Sequence, residues 1–287
     1  GFGLGLAFAY PPATTVSRQY FGSQKYGLAN GIVVSGGALG GCVLPYSVRM
    51  SLQNYGLAYT FRILGYLAIG LLLPSIFFVK PKSPSLPVTR GSGVGRRPPI
   101  LDLSLLSNPH FLALVVTGTI GMIGFLPRFF LIPSSAAYQG ISRTYTPWLL
   151  GLMNGLSIVG RVGIGMIADK RGKVAVLSAS FILCGLGHFA FWLPAVTLSP
   201  SGHASAVTGL FTSFVVYTGL FGSGFVSLFP VVVSHLFGST ALASKTGLLN
   251  TALGVGTLAG PSAVYAIVGN GADRHWTLGV LTAGLFM

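Results

Sequence analysis

An arginine stands at position 161 in N-G-L-S-I-V-G-R-V-G-I-G-M-I-A-D-K-R-G-K-V, residues 154 to 174, a run apolar enough to lie in a bilayer. The run then stops in Asp169, Lys170, Arg171 and Lys173. Arg161 lies eight residues before Asp169, about 12 Å along a helix that rises 1.5 Å per residue. A guanidinium at that depth is costly if it faces lipid, so it should face the bundle interior, a water-filled cavity or an anion. Asp102, Asp169 and Asp273 are the only acids of the chain and there is no glutamate. A structural role, in which Arg161 bonds carbonyls of a neighbouring helix or snorkels to the interface, competes with a role toward a bound anion. The missing partner favours the second, because a transported carboxylate would supply it.

Other polar residues in apolar runs are weaker candidates. Arg128, in F-L-P-R-F-F-L-I-P between Pro127 and Pro133, either lines a pathway or reaches the outer interface. Asn154, Ser157 and Asn250 can donate hydrogen bonds into a cavity, although residues of this kind also bond between helices. His110, His203, His235 and His275 fall at span ends or in loops, and His188 stands alone within a span. No histidine has metal-ligand spacing and no nucleophile has a base beside it, so no metal, cofactor or enzymatic activity is implied. Cys42 and Cys184 lie in apolar runs without a paired spacing and read as small buried hydrophobes.

The elements that must position these residues follow from composition. Of 287 residues, 52% are hydrophobic and 7% charged, against about 25% charged in a soluble domain. The 42 glycines and 17 prolines suit transmembrane helices, where small residues let backbones approach. Apolar runs near 27–48, 60–79, 110–133, 147–168, 174–194, 208–235 and 246–268, with partial runs at 1–16 and 277–287, are too long for barrel strands and predict an all-α polytopic bundle in the lipid bilayer. Arg18, Lys25, Lys80, Lys82, Arg90, Arg96, Arg97, Lys170, Arg171, Lys173 and Lys245 fall on one set of alternating connections, and only Arg49, Arg62, Arg143 and Arg274 on the other. The first set belongs to the cytoplasm. The formal charge of +14 is thereby largely a topology signal, and no nucleic-acid partner is needed.

The longest connection, residues 80–109, is rich in Pro, Ser, Gly and Arg and reads as a linker between two bundles. It divides the chain into 1–79 and 110–287. A repeat supports the division: G-L-A-N-G at 27–31 aligns with G-L-L-N-T at 247–251, and the same offset pairs Gly36 with Gly256 and Gly40 with Gly260. Those glycines form small-xxx-small pairs expected to pack helices closely. The chain opens and closes inside apolar runs without an initiator methionine or a signal-peptide pattern, as expected of a fragment.

At G-M-I-A-D-K-R-G-K, residues 165 to 173, the chain resembles the signature G-x-x-x-D-[RK]-x-G-[RK] of the major facilitator superfamily, in the copy between the eighth and ninth helices. There Gly165 permits close packing, Asp169 ends the helix, Lys170 and Lys173 stay cytoplasmic and Gly172 makes the turn. R-Q-Y-F-G-S-Q-K-Y-G-L-A-N-G-I-V-V-S-G, residues 18 to 36, is similar to the motif leading into the fifth helix of monocarboxylate transporters, with the basic cluster thinned to Lys25. F-L-P-R-F-F-L-I-P-S-S-A-A-Y-Q-G-I-S followed by N-G-L-S-I-V-G-R resembles the seventh and eighth helices of fungal members. The resemblance covers the whole chain, as helices four to twelve of twelve. It implies a rocker-switch carrier of the plasma membrane, with Arg161 engaging a substrate carboxylate and Asp169 near the start of the helix at 27–48. Animal members couple protons through an aspartate one turn before that arginine, where this chain has Ser157. The expected function is secondary transport of a monocarboxylate or related organic anion, with or without protons. Export of a larger specialised metabolite, or a non-transporting relic or sensor, are the competing readings.

Overall fold

A backbone in hydrocarbon must satisfy its own polar groups, which restricts long apolar runs to helices or closed barrels. The computed structural model describes residues 2–79, 103–142, 145–198, 203–239, 241–269 and 275–287. These form an all-α bundle without strands among the described residues. The helices are α1 (Phe2–Phe21), α2 (Tyr26–Phe78), α3 (Pro109–Phe125), α4 (Pro127–Tyr138), α5 (Thr146–Arg171), α6 (Lys173–Gly187), α7 (Leu193–Thr197), α8 (Ala204–Phe221), α9 (Gly224–Phe237), α10 (Leu242–Val268) and α11 (Trp276–Leu285). Among the described residues, six continuous or nearly continuous stretches are long and apolar enough to cross a membrane.

The expected connection between the runs at 27–48 and 60–79 is itself helical. The helix is interrupted only at Gly56, with φ 74° and ψ 177°, a conformation that a residue lacking Cβ adopts without steric cost. Most of 80–109 lies outside the described residues. Its last part is a 3-10 turn, Leu103–Ser107, followed by Asn108, whose side chain accepts from the His110 N–H at 3.0 Å and caps α3. Helix α5 does not end at Asp169. It continues to Arg171 and stops at Gly172, whose φ of 105° turns the chain directly into α6.

Three spans in the second half of the chain are interrupted near their middles. Leu126 separates α3 from α4, with Pro127 opening α4, where its missing N–H costs nothing. A π-helical turn, His188–Trp192, joins α6 to α7, and Gly222 and Ser223 separate α8 from α9. The buried apolar side chains correspondingly divide into two clusters. One is built around Phe111, Phe125, Phe181, Phe225, Phe229 and Leu249. The other is built around Ile132, Met153, Trp192, Phe211, Phe214 and Val264. Where each span passes from one cluster to the other it carries polar or small residues: Arg128, Ser157 and Arg161, Cys184 and His188, Thr218 and Ser223, Gly256 and Gly260. A polar layer therefore crosses the bundle between two apolar ones, and Arg161's distance from the helix end puts it near the middle of a core about 30 Å thick.

Close helix contact is unevenly distributed among the predicted glycine pairs. A Cβ on Gly260 would lie 2.7 Å from Ile123 Cα, and one on Gly256 would meet the Thr119 carbonyl and, at 3.0 Å, Met122 Cβ, so α10 packs on α3 through this pair. Gly36 and Gly40 do not pack in this way. No atom lies within 4 Å of a Cβ built on Gly36, and Gly40 would meet only Leu44 of its own helix. The contact face of α2 is turned away from them, toward Gly27 and Gly31. Gly260→Val should thus overpack the α3–α10 contact and destabilise the fold by about 1–3 kcal/mol, lowering the thermal midpoint in detergent. Gly36→Val should leave the midpoint unmoved.

Candidate functional site

Arg161 sits in the polar layer on the face of α5 that packs against α2, and is 9% exposed. Its Nη1 donates to the backbone carbonyl of Val34 on the neighbouring α2, the bond expected of a structural role, while Nε is buried without a partner. Asp169 is the only acid among the described residues, and it is engaged elsewhere. Tyr10 of α1 and Arg128 act on Arg161 through space. The guanidinium is thus anchored by a neutral carbonyl with its charge uncompensated, an arrangement that suits an incoming anion.

Two turns along α5, Asp169 reaches the N-terminus of α2. Its Oδ1 accepts from the Gly27 N–H at 2.9 Å and its Oδ2 from the Leu28 N–H at 2.9 Å. The first N–H groups of a helix have no intrahelical acceptor and carry partial positive charge, so a carboxylate there is held by both hydrogen bonds and the dipole. No side chain of α2's own N-terminal segment supplies the cap. Lys173 Nζ donates to the Ser23 carbonyl at 2.9 Å, just before α2, whereas Lys170 is exposed.

The contact between α2 and α5 is bare backbone along much of its length. A Cβ on Gly27 would lie 2.5 Å from the Gly165 carbonyl, one on Gly31 would meet the Arg161 carbonyl, and one on Gly41 would lie 2.7 Å from Asn154 Oδ1. Gly165, Arg161 and Asn154 therefore share one face of α5. Asn154 Nδ2 donates to Leu150 O at 3.0 Å and Ser157 Oγ to Asn154 O at 2.8 Å, so both side chains bond to their own helix. Gly27 and Gly31 form a small-xxx-small pair within the same repeat that contains Gly36 and Gly40, and nothing in the repeat distinguishes the pair that packs. Asn30 falls within the repeat and Arg18 among the basic residues of one set of connections, but neither pattern points to a partner: Asn30 Nδ2 donates to the Ser227 carbonyl of α9 at 2.6 Å and Arg18 Nε to Ser234 Oγ at 2.9 Å. These bonds extend the seam to α1 and α9.

Arg128 is 2% exposed and lies among the three interrupted spans. Its guanidinium carbon stands 3.9 Å from the centre of the Phe125 ring and 5.1 Å from that of Phe129, a cation–π contact strengthened by desolvation. Its Nη1 donates to Cys184 Sγ at 3.1 Å and lies 2.6 Å from a Cβ built on Gly222. Cys184 is thereby a polar partner and not simply a small hydrophobe. Two further rungs tie α4 to the same neighbour, Trp192 Nε1 to Ser135 Oγ at 3.2 Å and Gln139 Nε2 to Val196 O at 2.9 Å. From the first rung to the second, α4 advances seven residues but its partner eight. The π turn absorbs the additional residue and keeps the rungs in register. Within that turn the His188 N–H donates to Gly185 O, and its ring Nδ1 lies 2.9 Å from Cys184 O. No cluster of three or more metal-ligating side chains occurs among the described residues.

Two outcomes follow from this geometry. Deleting Ala190, an exposed residue of the π turn, should convert the turn to α-helix without displacing the rungs. The protein should remain monodisperse with little change in thermal midpoint, although removing one residue from a helix normally rotates all that follows by about 100°. Asp169→Asn replaces one acceptor by a donor facing an N–H. It should cost about 1.5–3 kcal/mol at the seam, and a cysteine placed at Ser227 should become about 10-fold or more accessible to a membrane-impermeant thiol reagent, with unchanged labelling counting against a closing role.

Residues 2–261 match the family described as Major Facilitator Superfamily. An MFS-type transporter of Gibberella moniliformis is 27% identical over 281 residues, 96% of this chain and 62% of that protein. The MFS-type transporter opdF of Penicillium oxalicum is 28% identical over 279 residues, 95% of the chain and 60% of its own length. The aspyridones efflux protein apdF of Emericella nidulans is 26% identical over 263 residues, 91% of the chain and 49% of its own length. The chain thus spans about half to three-fifths of the length of these curated relatives. With an all-α polytopic bundle, six apolar membrane-crossing stretches and a family match along most of its length, the chain belongs to the Major Facilitator Superfamily, an integral multi-pass membrane transporter family.

Proposed function

We propose that the protein is a secondary carrier for monocarboxylates or related organic anions, working by alternating access, and that Arg161 receives the anion. The observation that carries this reading is a guanidinium 9% exposed near mid-membrane, with an unpartnered Nε and no available carboxylate among the described residues. Residues 1–79 and 110–287 are then parts of two lobes joined through 80–109. Gly165, Asp169, Lys170, Gly172 and Lys173 form the cytoplasmic gating motif, with Asp169 clasping α2 in the closed arrangement. Arg128, Ser157 and Asn154 complete the surroundings of the site, Arg128 chiefly by adding positive potential from within the bundle. The plasma membrane is the expected location, and proton coupling, if present, uses a group other than Ser157.

A second reading, export of a larger specialised metabolite, is favoured by the relative named as an aspyridones efflux protein. The two differ in direction and in the size of the anion.

Uptake of labelled pyruvate and lactate into vesicles, with and without an inward proton gradient, tests the first reading. Arg161→Ala removes a charge-assisted bidentate partner worth about 3 kcal/mol and should cut saturable uptake by roughly 100-fold. Absence of uptake by folded wild-type protein, with efflux of a larger acid, would favour the exporter.

A further inference from the structure

Resting on the reading that Arg161 receives the anion, we infer that the backbone carbonyl of Val34 is the positioning group of that site. Its bond to Nη1 fixes the plane of the guanidinium and does not use the edge formed by Nε and Nη2. That edge presents two parallel N–H groups and matches two coplanar oxygens, as in a carboxylate. Nε is already desolvated and unbonded, so an anion oxygen there relieves a standing deficit.

Val34 belongs to α2 and Arg161 to α5, so anion affinity depends on how closely the two helices dock. Gly31 sets that distance, because even one carbon there would collide with the Arg161 carbonyl one turn from Val34. Gly37 lies beside Nη1, where a built Cβ would make an ordinary contact at 3.8 Å. When α2 withdraws, the guanidinium loses its anchor and must be reordered at each binding event, which weakens binding. By reciprocity the bound anion holds α2 against α5. The arrangement clasped by Asp169 is therefore the tight-binding one, and the carbonyl couples occupancy to closure.

The test is equilibrium binding of radiolabelled acetate, pyruvate, benzoate and decanoate to the full-length protein in nanodiscs. Gly31→Ala should weaken binding of whichever acid the wild type holds by about tenfold, while Gly36→Ala, which meets open space, should stay within about twofold. Arg161→Lys lacks the fork, and in that background Gly31→Ala should add no further loss. Unchanged affinity in Gly31→Ala, or an equal loss in the lysine background, overturns the positioning role and leaves the anion reading intact. If wild-type protein binds none of the four acids, the anion reading itself fails and the inference with it. Should Gly31→Ala not fold, Asp169→Asn loosens the same seam without adding a side chain, and the same loss is expected.

Discussion

Two guanidiniums held in a membrane bundle without, among the described residues, a carboxylate to neutralise them constrain everything around them. Burying a charge is tolerable only when it is bonded or stabilised by nearby π faces and dipoles, and the two arginines, each with a buried Nε that makes no hydrogen bond, are held differently. Arg128 is enclosed by Phe125, Phe129 and Cys184. Arg161 rests on one carbonyl of another helix. The polar layer between the two apolar clusters exists at the height these charges require. The interruptions at Leu126, in the π turn and at Gly222 bring Arg128, Cys184 and bare backbone together there.

The two arginines accordingly differ in what they can do. Arg128 is locked among elements of the second half of the chain, with a register maintained by three hydrogen-bonded rungs. It contributes a fixed field. Arg161 lies on a seam between α2 and α5, where close glycine backbone and hydrogen bonds that break cleanly when the helices part accompany apolar packing of Tyr26 near Ile164 and Ala168. Asp169 to two N–H groups, Lys173 to a carbonyl, Asn30 to a carbonyl and Arg18 to a hydroxyl form such a set. None is a buried salt bridge, so separation strands no unpaired opposite charges in the interface. A seam of this kind suits a carrier that must open and close repeatedly.

Efflux of a named metabolite by one relative and the carboxylate-like fit of Arg161 are compatible, since many metabolites are acids.

What the sequence determined by itself was the class of fold and the apolar runs that become its long helices, because hydrophobic length is additive along the chain. The signature at 165–173 pointed to Asp169, although not to the helix's continuation through it, since a helix end depends on which residue takes φ above zero, here Gly172. Tertiary structure alone decided which glycines pack. Gly27 and Gly31 meet α5 while Gly36 and Gly40 do not, because the face a helix presents is set by its rotation against its neighbours. It alone decided that Arg128 faces Phe125 and Cys184, and that Val34, Asn30 and Ser227 belong to the seam. Backbone carbonyls and isolated polar residues carry no local signature, and they acquire a role only when helices distant in sequence bring them together.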